Sequence, residues 1–187
     1  MNKIFALAAA ALLTGTAPPV HAEVVSTEGD MFVVAHEAAT AASTMDTWIA
    51  LTKPGEWWSS SHTWSADAAN MTLTPQAGGC FCERIPEGTE KLLLEGSVQH
   101  MVVVQAYPER TLRMRGGLGP LQGEPAEGVL TITLKAVNGG TAIRWEYVVG
   151  GPMRFEVPTI AKAVDGVIGE QLERLVAHLG PLDSAGE

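Results

Sequence analysis

Glu83 and His100 have the side chains best suited to chemistry, and both fall on strand-like runs. In VQHMVVV at residues 98–104, His100 alternates with Val98, Val102, Val104 and Ala106. These are more apolar than Gln99, Met101, Val103 and Gln105, so strand parity turns His100 inward. An inward imidazole is either a core residue bonded to its neighbours or a group that handles a ligand or a proton. Glu83 shares parity with Phe81 and Ile85, opposite Arg84, whose preference for water places Glu83 inward as well. A lone buried carboxylate neutralises rather than stay charged. A Glu83–His100 pair on neighbouring strands satisfies both groups; the alternative is a Glu83 solvated at a sheet rim.

Cys80 and Cys82 flank Phe81. On a regular strand their Cα atoms lie about 6.6 Å apart with side chains parallel, so an ordinary bridge is not expected and the pair is predicted unbridged. In an oxidising compartment the options are free buried thiols, a strained bridge or a metal pair. Together with His62, Glu83 and His100 they include ligand types that suit zinc or copper. However, there is no CxxC, no HExxH and no repeated ligand spacing, and parity sets Glu83 opposite the thiols. The expectation is no metal and no cofactor.

Trp57, Trp58, His62 and Trp64 form the densest aromatic cluster. Several large rings in a loop either cap a core or line a pocket mouth. Trp145 and Tyr147 take the inward parity of a late strand with Ile143 and Val149, and Gln171 falls on the apolar side of a long helix. GGLGPLQG at 116–123 lies between two strands, without the strand-then-helix context of a phosphate loop. It reads as a flexible turn or as a lid.

The elements that must carry these residues follow from periodicity. Residues 30–38 read as a strand. A helix follows, with Ser43 as its cap, Asp46 three residues on, and Met45, Trp48, Ile49 and Thr52 on one face; Pro54 and Gly55 end it. Residues 56–70 read as a short helix and loop. Residues 71–74, 80–85, 91–107 (bent near Gly96), 110–115, 128–137 and 141–149 read as strands. Short turns between them imply an antiparallel meander. Residues 158–179 form an amphipathic helix with the stripe Ile160, Val164, Ile168, Leu172, Leu175 and Leu179. Such a helix must lie on an apolar surface, which one-sided strands supply.

The N-terminus reads as an address. Lys3 is followed by the apolar residues 4–13, too short for a membrane span of roughly 20 residues. Val20, His21 and Ala22 suit a cleavage site before Glu23, so residues 1–22 are expected to be a signal peptide. Residues 23–29 form a short lead, 30–180 the domain and 181–187 a tail. The net charge is −9, about −10 once Lys3 is gone. An acidic chain of this kind repels phosphate backbones and anionic lipid, which argues against nucleic acid and membrane surfaces as partners.

Ala42 and Ser43 before the helix, Trp48, the LTKP ending at 51–54, the Trp57 and Trp58 pair, the Gly78 and Gly79 turn and the 158–179 helix resemble the START-like (SRPBCC) superfamily. This includes polyketide cyclases and heat-shock ATPase activator homologues. HTWSADAAN, GGCFCE and GGLGPLQ resemble its exported members of unassigned activity. The resemblance implies an α+β helix-grip fold: a curved antiparallel sheet of six or seven strands around the C-terminal helix, with a small helical segment after the first strand. It also implies an elongated cavity suited to apolar or aromatic small molecules. The expected function is an exported, periplasmic or secreted binding protein for such a ligand, lined by Trp58, His62, Trp64, Glu83, His100, Trp145 and Gln171. The alternative is an enzyme of cyclase, dehydratase or hydrolase type using His100 or Glu83 as acid or base in the same cavity.

Overall fold

The computed structural model describes residues 21–88 and 94–182. The elements run β1 (His21–Glu28), β2 (Met31–Thr40), α1 (Thr44–Leu51), β3 (Met71–Leu73), β4 (Cys80–Ile85), β5 (Gly96–Tyr107), β6 (Thr111–Arg115), β7 (Glu127–Val137), β8 (Gly140–Gly150) and α2 (Val157–Leu179). All strands join one antiparallel sheet in the order β1-β2-β8-β7-β6-β5-β4-β3. The α+β helix-grip architecture expected from the sequence is therefore present, with eight strands rather than six or seven. The additional strand is β1, which takes up the residues read as a lead and pairs along β2 from His21↔Glu37 to Glu28↔Met31. The expected signal segment lies outside the described residues up to residue 20, as do the start of the 91–107 run and residues 183–187 of the tail.

Strand alternation drives the core. Phe32 and Val34 on β2, Leu112 and Met114 on β6, Leu130 and Ile132 on β7, and Ile143, Trp145, Tyr147 and Val149 on β8 are all buried. They face the α2 stripe of Ile160, Val164, Ile168, Leu172 and Leu175. Burying a large aliphatic or aromatic side chain is worth about 1.5–3 kcal/mol, so this contact dominates the fold. α2 is also tied to β2 by a hydrogen bond of 2.9 Å between His36 Nε2 and Asp165 Oδ1.

Ser43 caps α1 by accepting from the Asp46 amide at 3.1 Å. The inward face of α1 differs from the expectation: Thr47, Trp48, Ala50 and Leu51 are buried, whereas Met45 and Ile49 are exposed. Residues 52–70 form three short 3-10 turns, Pro54–Glu56, Ser60–His62 and Ala68–Asn70, which swing the tryptophans back over the sheet.

β5 corrects the parity reading. The register shifts between Phe81 and Cys82, so Phe81 opposes Met101 while Cys82 opposes Gln99, and His100 is the extra residue. Both His100 and Met101 then turn inward. A second irregularity, between Val103 and Gln105 on β5, turns Val104 out to 42% exposure, while Val103 is fully buried. His100 is inward because of a bulge, not because it alternates with Val102 and Val104.

Candidate functional site

The site is assembled from four segments: the aromatic loop after α1, the paired strands β4 and β5, the glycine-rich segment 116–123, and the first half of α2. Three bonds from α2 hold the loop. Gln171 Oε1 accepts from the Ser59 amide at 2.8 Å, His62 Nε2 meets Glu170 Oε2 at 2.9 Å, and Arg174 Nε donates to the Trp57 carbonyl at 2.9 Å. Within the loop, Trp58 Nε1 donates to the His62 carbonyl at 3.1 Å. Side-chain hydrogen bonds from Ser59 and His62, with the nearby Arg174 charge, hold the Glu170 carboxyl below its usual range.

Glu83 and His100 are paired. His100 Nε2 lies 3.0 Å from Glu83 Oε2, and both side chains are buried, at 5% and 1% exposure. The same carboxylate accepts the backbone amides of Trp64, at 3.1 Å, and of Ser65. Burial pushes the Glu83 carboxyl up, but hydrogen bonds from Ser65, Trp64 and His100 outweigh it and hold the group below the usual carboxylate range. Burial pushes His100 down and outweighs the pull of Glu83 in the other direction, so the imidazole lies below the usual histidine range. At neutral pH the pair is thus a carboxylate and a neutral imidazole. A carboxylate only accepts, so Nε2 carries the proton and Nδ1 is left as an acceptor. The Gln122 amide nitrogen lies 3.4 Å from Nδ1, and Gln122 Oε1 in turn accepts from Trp64 Nε1 at 3.1 Å.

The glycine-rich segment forms the opposite wall, with a 3-10 turn at Gly119–Gly123. Gly116 has φ +151°, and a side chain there would run into the backbone of His100 and Met101, which requires glycine beside the β5 bulge. Tyr147 reaches across from β8, donating to the Gly116 carbonyl at 2.9 Å and accepting from the Leu118 amide at 3.2 Å. Its ring occupies the space over Gly128 where a Cβ would otherwise sit.

Between these walls is a cavity of about 320 Å³. Trp58, Leu118, Pro120, Ile160, Val164, Val167 and Ile168 give it apolar sides, and His62, Trp64 and His100 border it as well. Four of the seven residues singled out in the sequence therefore line it: Trp58, His62, Trp64 and His100. Trp64 is 53% exposed. Glu83 lies behind His100 and does not line the cavity; it acts on the cavity through that imidazole and through the Trp64 amide it holds. Trp145 does not line the cavity; it is a core residue packed edge-on against Trp57 with centroids 6.0 Å apart. Gln171 does not line it either, being fully buried one turn beyond Ile168 and committed to the Ser59 amide. The sequence reading missed Ser61, Thr63 and Ala163 in the lining, and Gln122, whose spacing carries no signal. It flagged the wall at 118–120 only as a glycine-rich turn or lid.

Cys80 and Cys82 are joined by a disulfide, contrary to the expectation. The register shift that makes His100 the extra residue of β5 falls inside this bridged segment, and the two Cα atoms lie 5.4 Å apart instead of at the regular spacing. Among the described residues no group of three or more metal-ligating side chains converges, and no helix is long and apolar enough to cross a membrane.

The fold and site define a helix-grip protein with a small apolar cavity ending in a carboxylate-paired imidazole. The chain belongs to the START-like (SRPBCC) family described as polyketide cyclase/dehydrase and lipid transport, whose profile matches residues 31–180. No curated protein matches it by sequence. Its fold is similar to that of an uncharacterised protein from Rhizobium leguminosarum, at 19% identity and TM-score 0.56, covering 80% of this chain and 94% of that one. It is similar also to a protein from Mesorhizobium loti, at 19% identity and TM-score 0.53, covering 78% and 94%. CalU16 from Micromonospora echinospora is similar at 14% identity and TM-score 0.53, covering 83% and 78%.

Proposed function

We propose that this chain is an exported binding protein for a small apolar or aromatic molecule, held between α2 and the sheet and oriented by His100. The observation that carries the reading is the cavity itself: about 320 Å³, walled by aliphatic side chains of α2, Trp58 and residues 118–120, with a neutral imidazole at its border. That volume is at the lower end of small-molecule sites, which combine apolar walls with a few polar groups that fix orientation. The N-terminal address motivates export, with Glu23 as the first residue of the mature chain; intact mass of the exported protein checks it.

A second reading is favoured by one observation, the Glu83–His100 pair. A carboxylate that fixes the imidazole tautomer leaves Nδ1 as a base within reach of a cavity ligand. On this reading the protein is a cyclase, dehydratase or hydrolase, and His100 takes a proton from the substrate while Glu83 positions it.

The test is titration with N-phenyl-1-naphthylamine, a neutral aromatic fluorophore, together with native mass spectrometry of freshly purified protein. Binding that is lost in Val164→Trp, whose indole fills the cavity, supports the proposal. A probe that binds Val164→Trp and the parent equally, or binds neither, removes it.

A further inference from the structure

We propose that the Cys80–Cys82 disulfide is a thiol-exchange site whose redox state sets the geometry of the His100 end of the cavity. Three observations meet at one point of β4. The bridge encloses only Phe81, so it restrains little of the unfolded chain and is a poor staple. Both cysteines are half-buried on the sheet face opposite Phe81 and Glu83, where a small thiol can reach them. Accessible bridges of this kind are the labile and regulatory ones.

The enclosed residue packs directly behind two residues of the cavity wall, Trp58 and His100. Phe81 turns inward, with its ring centroid 5.4 Å from that of Trp58 and 5.3 Å from that of His100. The register shift that makes His100 the extra residue of β5 falls between Phe81 and Cys82, inside the bridged segment. Glu83, which fixes the His100 tautomer, is the next residue along. Bridge, bulge and imidazole therefore form one mechanical unit.

Alternate residues of a regular strand lie about 6.6 Å apart. The bridged pair is at 5.4 Å. Opening the bond removes the covalent restraint on that contraction, and β4 can lengthen towards regular pitch. Phe81 and Glu83 then shift relative to His100, which changes the wall and the hydrogen bond together. The reductant is a dithiol. Its first thiolate attacks one cysteine sulfur, forming a mixed disulfide and releasing the other cysteine as a thiolate, which takes up a proton. Its second thiolate resolves the mixed disulfide, leaving two cysteine thiols and the cyclic oxidised reductant, with two electrons transferred.

The affinity arm of the test rests on the binding reading above; the imidazole arm does not. Full-length folded protein is compared before and after dithiothreitol by thiol titration, by 15N shifts of the His100 ring assigned with His100→Gln, and by N-phenyl-1-naphthylamine titration. The expected result is two thiols per chain appearing under retained cooperative unfolding, moved His100 ring shifts, and a Kd weakened about fivefold or more. The Cys80→Ser/Cys82→Ser double variant should reproduce the reduced protein without dithiothreitol. If the ring shifts move but the probe binds neither form, the coupling stands and the binding reading falls. A bridge absent from the oxidised protein, or one that resists dithiothreitol while the chain is folded, overturns the proposal. So does unfolding on reduction, which makes the bridge a staple, or His100 shifts identical in both states.

Discussion

His100 donates from Nε2 to Glu83 Oε2 at 3.0 Å, and the same carboxylate holds the backbone amides of Trp64 and Ser65. One β4 side chain therefore fixes a β5 tautomer and pins the aromatic loop to the sheet. Glu83→Ala leaves three buried or half-buried donors without an acceptor. Since an unsatisfied buried group costs about 1–3 kcal/mol, the variant should lose on the order of 3 kcal/mol. Glu83→Gln retains an acceptor oxygen and should lose less. Denaturant titration with an unchanged m-value measures both, and a loss in Glu83→Ala no greater than in Glu83→Gln would show that the loop finds other partners.

Acid should uncouple the pair in two stages. Both groups titrate below their ordinary values, 6.5 for the histidine and 4.5 for the carboxylate, so the folded chain binds fewer protons than the unfolded one. The stabilisation from neutral His100 is complete above pH 6.5 and is lost as pH falls through its lower folded pKa. That from ionised Glu83 is complete above pH 4.5 and is lost as pH falls through its own. Tm should therefore decline first below about pH 6.5 and again below about pH 4.5. His100→Gln should flatten the upper stage alone. An upper stage of equal size in that variant assigns it to another group.

What could be read in the sequence divides along the regularity of the backbone. β4 keeps strict alternation, and Phe81 and Glu83 face inward as parity demands. The β8 set of Ile143, Trp145, Tyr147 and Val149 is inward for the same reason. β5 breaks the rule at two irregularities, and a bulge leaves no mark in a run of valines; His100 faces inward, but so do Met101 and Val103, against the parity that predicts it. The Cys80–Cys82 bridge spans the same register shift, and the regular-strand spacing that argues against it does not hold there. β1 escaped notice because EVVSTEG has neither alternation nor length, and its strand character comes from pairing with β2. Trp145 and Gln171 were legible as inward but not as distant from the cavity, since inwardness does not say which part of the interior a side chain reaches.

The wall at residues 118–120 depends on Tyr147. Its hydroxyl bonds both the Gly116 carbonyl and the Leu118 amide, and burial pushes the phenol well above its ordinary pKa, so it stays protonated and able to donate. Tyr147→Phe should cost about 1–3 kcal/mol and loosen the wall. Gly128→Ala should act on the same ring by overpacking, at a similar cost of about 1–3 kcal/mol. Both should weaken N-phenyl-1-naphthylamine binding. Unaltered binding in two destabilised variants would detach the Tyr147 contact from the cavity.

His100→Phe separates orientation of a ligand from support of the fold. The replacement ring keeps the bulk packed against Phe81, whose centroid is 5.3 Å away. It removes the donor to Glu83, but that carboxylate retains the Trp64 and Ser65 amides and is not left bare. It also releases Gln122, whose amide oxygen remains bonded to Trp64 Nε1. The stability cost should therefore be modest, about 1 kcal/mol, that of one hydrogen bond lost between groups with other partners. Affinity should respond differently according to the ligand. N-phenyl-1-naphthylamine, which offers one N–H, should bind more weakly, because Nδ1 is the ring nitrogen that Glu83 leaves as an acceptor. Phenylnaphthalene, which has no N–H, should bind the variant and the parent alike. Equal weakening of both probes would mean that His100 shapes the wall rather than reading a polar group. Unchanged affinity for both, with a clear loss of stability, would make His100 a core residue whose work ends at Glu83.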